Sequence, residues 1–240
     1  MNVAEKTIAA VEKIKKLYTA GAEKGMAEVA DLNDELFTVL NGGDTGGKSF
    51  WDEFWDNFQN YGNRRNYNQG FFGAYAWNDA NFNPKYDIIC SGTYTANSMF
   101  QNTNITRIPV VVDVSQCPTE LYAIFAGASK LKSIKKLVVS ENNIFANGGF
   151  NSCSALVDLP IEGTIGQNGF NVQWSTKLSK ASIYSVINAL STTTSGLTVT
   201  LSKTAVDNAF YDEEPDEVGS QSTEWLNLVE TKPNWTISLA

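Results

Sequence analysis

The 240-residue chain contains no histidine. That removes the side chain used most often as a general base and as a metal ligand. Its three cysteines, Cys90, Cys117 and Cys153, lie far apart and form no C-x-x-C pair. An odd, scattered set reads as small buried hydrophobes, not as a disulfide framework or a zinc site. Charge is sparse, at 18% of residues, and the balance is −8. So few Lys and Arg neutralise phosphate poorly, and nucleic acid is not an expected partner. Nowhere do 18 apolar residues run together, and no membrane span is expected. The start, MNVAEKTIAAVEKIKK, has no apolar stretch long enough for a signal peptide. The expectation is a protein made in a bacterial cytoplasm that reaches any outside target by lysis or by assembly into a particle.

What the chain does have is a period. Phe100, Phe125 and Phe150 are spaced 25 and 25 residues apart, and Trp174 follows 24 later. Behind each Phe comes an apolar phrase: Ile105 and Ile108, then Leu131, Ile134 and Leu137, then Leu156, Leu159 and Ile161. A period in the twenties with an L-x-x-L core marks a leucine-rich repeat solenoid. Each repeat is expected to place a short helix before its Phe, most clearly in PTELYAIF (118–125), and a short strand after it. Stacked repeats then form a parallel sheet on one face, an α/β architecture that builds a surface.

Around residues 90–173, which hold the repeats, the other segments take distinct roles. In residues 1–41, Val11, Ile14 and Tyr18, then Val29, Leu32, Leu36 and Val39, step by 3 and 4. That is a helical seam suited to anchoring or to forming a homo-oligomer. Residues 42–49 are a Gly-rich linker. Residues 50–89 form an aromatic block, which is expected to seal the open end of the stack. Its Phe50, Trp51, Phe54, Trp55 and Phe58 share one helical face. From 174 to 240 the pattern changes to an α/β end unit. LSKASIYSVINAL (178–190) reads as a helix with Ser179 and Ser182 as candidate N-caps. LTVTLS and WTISL read as strands, and KTAVDNAF and STEWLNLVE as helices.

Three phrases carry a family resemblance: FWDEFWDNFQNYGNRRNY with the FFGAYAW and FNPKYDI that follow, the F-x-x-C-x-x-L run from Phe150 to Leu156, and LSKASIYSVINAL. Together they resemble BspA-type leucine-rich repeat proteins, in particular those found with tail genes of bacteriophages and prophages of gut Firmicutes. The resemblance spans roughly residues 50–202. Two departures stand out: the first repeat is one residue short between Phe100 and Ile105, and the loop around DEEPDE is long. The resemblance implies a non-enzymatic virion or adhesion protein with no catalytic residues, no cofactor and no metal. Its partners would be other tail proteins, met through the N-terminal helix, and a host-surface glycan or protein. A bacterial surface adhesin is the alternative setting. Solvent-facing Lys132 and Lys135 are candidate contacts on the strand face, though the ligand-binding set is not fixed by sequence.

Four motifs point elsewhere. Gly42–Ser49, GGDTGGKS, satisfies the phosphate-cradling G-x-x-x-x-G-K-S pattern, and Asp113 after three valines could hold magnesium. Yet the segment before Gly42 continues a helical seam instead of a buried strand, so a linker is expected. Asp212, Glu213, Glu214, Asp216 and Glu217 match no EF-hand spacing and read as a solvated loop. Asp52, Glu53 and Asp56 read as the polar face of a short helix, not a glycosidase pair. The sequons at Asn104 and Asn234 carry no weight without a secretory signal.

Overall fold

The computed structural model describes residues 77–90, 96–117, 120–145, 148–210 and 222–240. The stem at 1–41, the linker with its GGDTGGKS match, the helix expected at 50–58 with Asp52, Glu53 and Asp56, and the acidic run from Asp212 to Glu217 lie outside the described residues. So do Pro118 and Thr119, at the start of the helix expected over 118–125.

The described chain is a mixed α/β structure centred on a parallel sheet of four strands in sequence order. These are β1 (Ile88–Ile89), β2 (Arg107–Asp113), β3 (Ser133–Val139) and β4 (Ile161–Gly163). Ile88 lies against Val112, Val112 against Leu137, and Leu137 against Ile161. Each step across the sheet is therefore one sequence period. In β2 the inward positions Ile108, Val110 and Val112 are buried and alternate with outward residues. β3 carries one residue, Lys135, where β2 carries Pro109 and Val110, and the register shifts there. This bulge lets Ile134 and Leu137 both stay inward although two lysines separate them.

Opposite the sheet, the aromatic period becomes a stack. The Phe100 and Phe125 rings lie 5.5 Å apart and nearly parallel, and Phe125 and Phe150 lie 5.0 Å apart. The next member is Phe170, 5.3 Å from Phe150. It is not Trp174, which is 53% exposed where Phe170 is 1%. Each such ring pair adds about 0.5–1.5 kcal/mol beyond the area it buries.

Among the described residues, the helices expected ahead of each Phe do not form. Residues 122–127 are a run of turns, as are 97–102. Their N–H groups are spent between levels of the stack. Ser98, Phe100 and Asn102 donate to the carbonyls of Tyr122, Ile124 and Ala126, and Phe125 and Gly127 donate to those of Gly149 and Asn151. A helix would need those same donors for its own turns. Ser98, Asn102, Ala123 and Ser152 take positive φ within these turns. The strain of those φ values is offset by bonds that leave few buried N–H groups unpaired.

The sheet ends on a helix, α1 (Lys180–Ala189). Ser179 caps it, accepting from the Ser182 N–H. The Ser182 hydroxyl accepts the Leu159 N–H at 2.8 Å and donates to the Val157 carbonyl at 2.9 Å. The Ser185 hydroxyl accepts the Ile161 N–H at 2.7 Å. Two serines on one helical face thus satisfy the edge that a fifth strand would have paired. On the other side the stack continues. Val172 donates to the Thr200 carbonyl and Thr200 to that of Phe170, which brings in β5 (Leu197–Leu201) and, parallel to it, β6 (Trp235–Leu239). Between them, α2 (Lys203–Phe210) and α3 (Thr223–Glu230) pack on α1 through Tyr184, Phe210 and Trp225. Buried Lys232 donates to the carbonyls of Asn188 and Leu190, at the end of α1, where a cation complements the helix dipole. Burial lowers its pKa.

Ser182→Ala orphans the buried Leu159 N–H and is expected to lower unfolding free energy by about 1–3 kcal/mol in urea titration. Phe170→Ala is expected to cost about 3–5 kcal/mol, whereas Trp174→Ala should change stability by no more than about 0.5 kcal/mol. The reverse order would remove Phe170 from the stack.

Candidate functional site

Inward positions are committed to packing, so any site lies on exposed columns. The same local turn recurs at three levels: Leu131 N–H donates to Ala128, Leu156 to Cys153 and Leu178 to Ser175. The bonds from Lys132 to Thr106, from Val157 to Lys132 and from Ser179 to Val157 then stack the following residues directly. This places Lys130, Ala155 and Lys177 in one column, and Thr106, Lys132, Val157 and Ser179 in the next. Lys130, Lys132, Lys135 and Lys177 are all exposed, and none forms an ion pair with a described residue.

The surrounding charges are mostly neutralised. Lys136 pairs with Glu162 at 2.5 Å. Lys180 pairs with Glu224 at 2.5 Å and lies 4.9 Å over the Phe210 ring. Glu224 also accepts from the Tyr184 hydroxyl at 2.8 Å. The Lys180 and Tyr184 hydrogen bonds hold Glu224 below the usual carboxylate range. Burial pushes Asp79 up, but hydrogen bonds from the Thr106 hydroxyl and N–H and the charge of Arg107 outweigh it, so its pKa is lowered. The described residues hold ten Lys/Arg and ten Asp/Glu. Four of those lysines fall within residues 130–136, and no carboxylate occurs from 121 to 140. Among the described residues, Asp158, aligned with Ser133, and Asp79, hydrogen-bonded to Thr106, bring carboxylates to the lysine columns.

A second feature is an open hollow of about 540 Å³ lined in part by Ile144, Phe145, Gly148 and Phe170. Asn168, Asn171, Thr198 and Thr200 line it with neutral polar groups. Asn168 accepts the Thr198 N–H at 2.8 Å and Asn171 accepts the Gln173 N–H at 2.9 Å, which fixes both amides. Gly169, at φ +101, has its backbone against the Phe145 carbonyl, where a Cβ would sit 2.7 Å away. Thr198 and Thr200 register with Thr236 and Ser238 across β5 and β6, so the hydroxyl array continues beyond the hollow. Such a wall suits an uncharged, hydrogen-bonding ligand.

Of the candidates read from sequence, Lys135 sits on β3 and Lys132 one residue before it, both exposed. Sequence alone does not single out Lys130 and Lys177, which lie far apart along the chain. Only the stacking reveals their shared column. Asp113 closes β2 and accepts the Ser115 N–H at 2.9 Å, a local turn bond. Asn234 donates its side-chain amide to the Ser191 and Thr194 carbonyls, so the atom a glycan would occupy is already engaged. The three cysteines are free and buried. Burial pushes the Cys153 thiol up to about 12, and its hydrogen-bonded neighbour Cys90, together with burial, raises Cys117. Among the described residues no group of three or more His, Cys, Asp or Glu could hold a metal ion, and no helix is long and apolar enough to cross a membrane.

The chain matches no protein-family model, no curated protein and no solved structure.

With its pKa near 12, Cys153 is thiolate in only about one molecule in 10⁴ at pH 8. Iodoacetamide at pH 8 is therefore expected to leave Cys153 unlabelled in the native protein and to label it in urea, as read by peptide mass spectrometry. Native labelling would mean that the level carrying Phe150 opens.

Proposed function

We propose that the chain is a non-enzymatic binding protein: a short leucine-rich repeat solenoid of the BspA kind, serving as a tail-associated or structural part of a virion. Its exposed columns would meet a host-surface glycan or protein. The observation that carries this reading is the one-period strand register combined with the Phe100–Phe125–Phe150 stack. A rigid stack holds surface side chains at fixed intervals, which favours recognition by shape and hydrogen bonding. The neutral hollow beside Asn168 and Thr200 adds a concave surface of the size that holds small ligands. The heptad spacing of residues 1–41 supports an anchoring or oligomerising role for that segment.

Binding to a panel of bacterial surface glycans and surface proteins, followed by biolayer interferometry, tests the reading. Saturable binding to at least one of them is expected. Titration calorimetry with ATP and magnesium is expected to be silent. Micromolar ATP binding lost in Lys48→Ala would replace this reading with a nucleotide-binding one. In mass photometry the full chain is expected to be oligomeric, and a chain starting at residue 42 monomeric. A full chain that stays monomeric would remove the oligomerising role.

A further inference from the structure

We infer that the lysine columns form a binding site for an anionic polysaccharide. This rests on the glycan-binding reading above and narrows it to one ligand charge. The columns are set by backbone bonds, so the spacing of the charges is fixed. Lys130 and Lys177 occupy the same column with Ala155 between them, two levels apart, or roughly 10 Å. Lys132 and Lys135 continue along the chain from Lys130, so the row of three spans about 15 Å. All four ammonium groups are exposed and unpaired with any described residue, while Lys136 and Lys180 are paired with Glu162 and Glu224 and Arg107 lies near Asp79. Among the described residues the local balance is four lysines against Asp158 and Asp79, in a chain whose total charge is −8.

Charge complementarity therefore selects a polyanion. A nucleic-acid strand is disfavoured by the chain's −8 balance, which repels a phosphate on every nucleotide. A polysaccharide with one carboxylate, sulfate or phosphodiester per sugar, or per pair of sugars, matches better. Trp174 adds a ring face. It is 53% exposed and stands three residues ahead of Lys177, free of the core that Phe170 serves. An exposed Trp offers a sugar ring an apolar platform beside the charge.

The test uses the full chain with dextran sulfate and uncharged dextran of equal length, two polymers that differ only in charge. Dextran sulfate is expected to bind saturably and dextran at least tenfold more weakly. Lys130→Glu/Lys132→Glu/Lys177→Glu is expected to weaken dextran sulfate binding at least tenfold and to flatten its salt dependence. Thermal unfolding should be unchanged, because these side chains make no described ion pairs. Lys203→Glu, on α2 and away from the columns, is expected to bind as the native chain does. Trp174→Ala is expected to weaken binding without lowering stability. Unchanged affinity in the triple variant, equal binding of both dextrans, or tighter binding of a single-stranded oligonucleotide than of dextran sulfate would each overturn the proposal. If a neutral surface glycan binds while dextran sulfate does not, the lysine site falls and the wider binding role stands. If neither binds and no surface protein does, both fall.

Discussion

The main-chain hydrogen bonds that run from one level to the next govern everything else in this chain. Within a level, a segment such as 122–127 makes only short turns. Its donors point to the following level and are met there by carbonyls one period further along the chain. That arrangement fixes the separation of levels at the strand spacing. At that spacing two phenylalanine rings fit face to face, as the Phe100 and Phe125 rings do. The aromatic stack is thus a consequence of the backbone geometry as much as a cause of it. The bonds satisfy the backbone inside the core and the rings fill the space between, so neither would be stable alone.

At its C-terminal end the stack is finished differently on its two sides. At β4 the next element is a helix, yet the strand edge is not left open. Ser182 and Ser185, three apart on α1, place their hydroxyls where a strand would offer carbonyls. On the opposite side the level below is shorter: the path from Cys153 to the equivalent Ser175 takes fewer residues than the path from Ala128 to Cys153. The shortened level cannot lie under all of the one above. The hollow lined by Ile144, Gly148 and Phe170 lies beside this shortened level. The hollow is lined by Asn and Thr because the strands that border it, β5 and the 170–172 segment, alternate apolar residues inward and polar residues outward.

The parts of this fold legible in the sequence are those set by periodic burial. The Phe period, the strands after it, the LSKASIYSVINAL helix and the two C-terminal strands all follow from apolar spacing. Counting fails at the shortened level. Extending the period beyond Phe150 leads to Trp174, while packing selects Phe170, which comes earlier in the chain. Local propensity fails at the described part of PTELYAIF, residues 120–125, which turn instead because donors to the neighbouring level outcompete a short helix. Ser182 reads as a helix cap. It does sit in the first turn, but its hydroxyl serves the sheet edge, a long-range partner that no local pattern announces. Lys130 and Lys177 are hidden for the same reason, since their shared column exists only once the levels are in register.

That register also limits where recognition can reside. An inward substitution disturbs a ring or a branched side chain stacked on neighbours above and below, so its effect spreads through adjacent levels. An outward substitution on a column touches only the residues one level up and one level down, and those are held in place by main-chain bonds it does not alter. The exposed columns can therefore change charge or shape while the scaffold stays the same. The lysines of residues 130–136 illustrate this. Lys135 and Lys136 occupy two consecutive positions of β3, which the strict alternation of a flat strand would not permit on one face. The bulge opposite, at Pro109 and Val110, absorbs the extra residue and keeps Ile134 and Leu137 buried. One local irregularity thereby lets two adjacent lysines stay out of the core, one paired with Glu162 and the other exposed without an ion pair among the described residues.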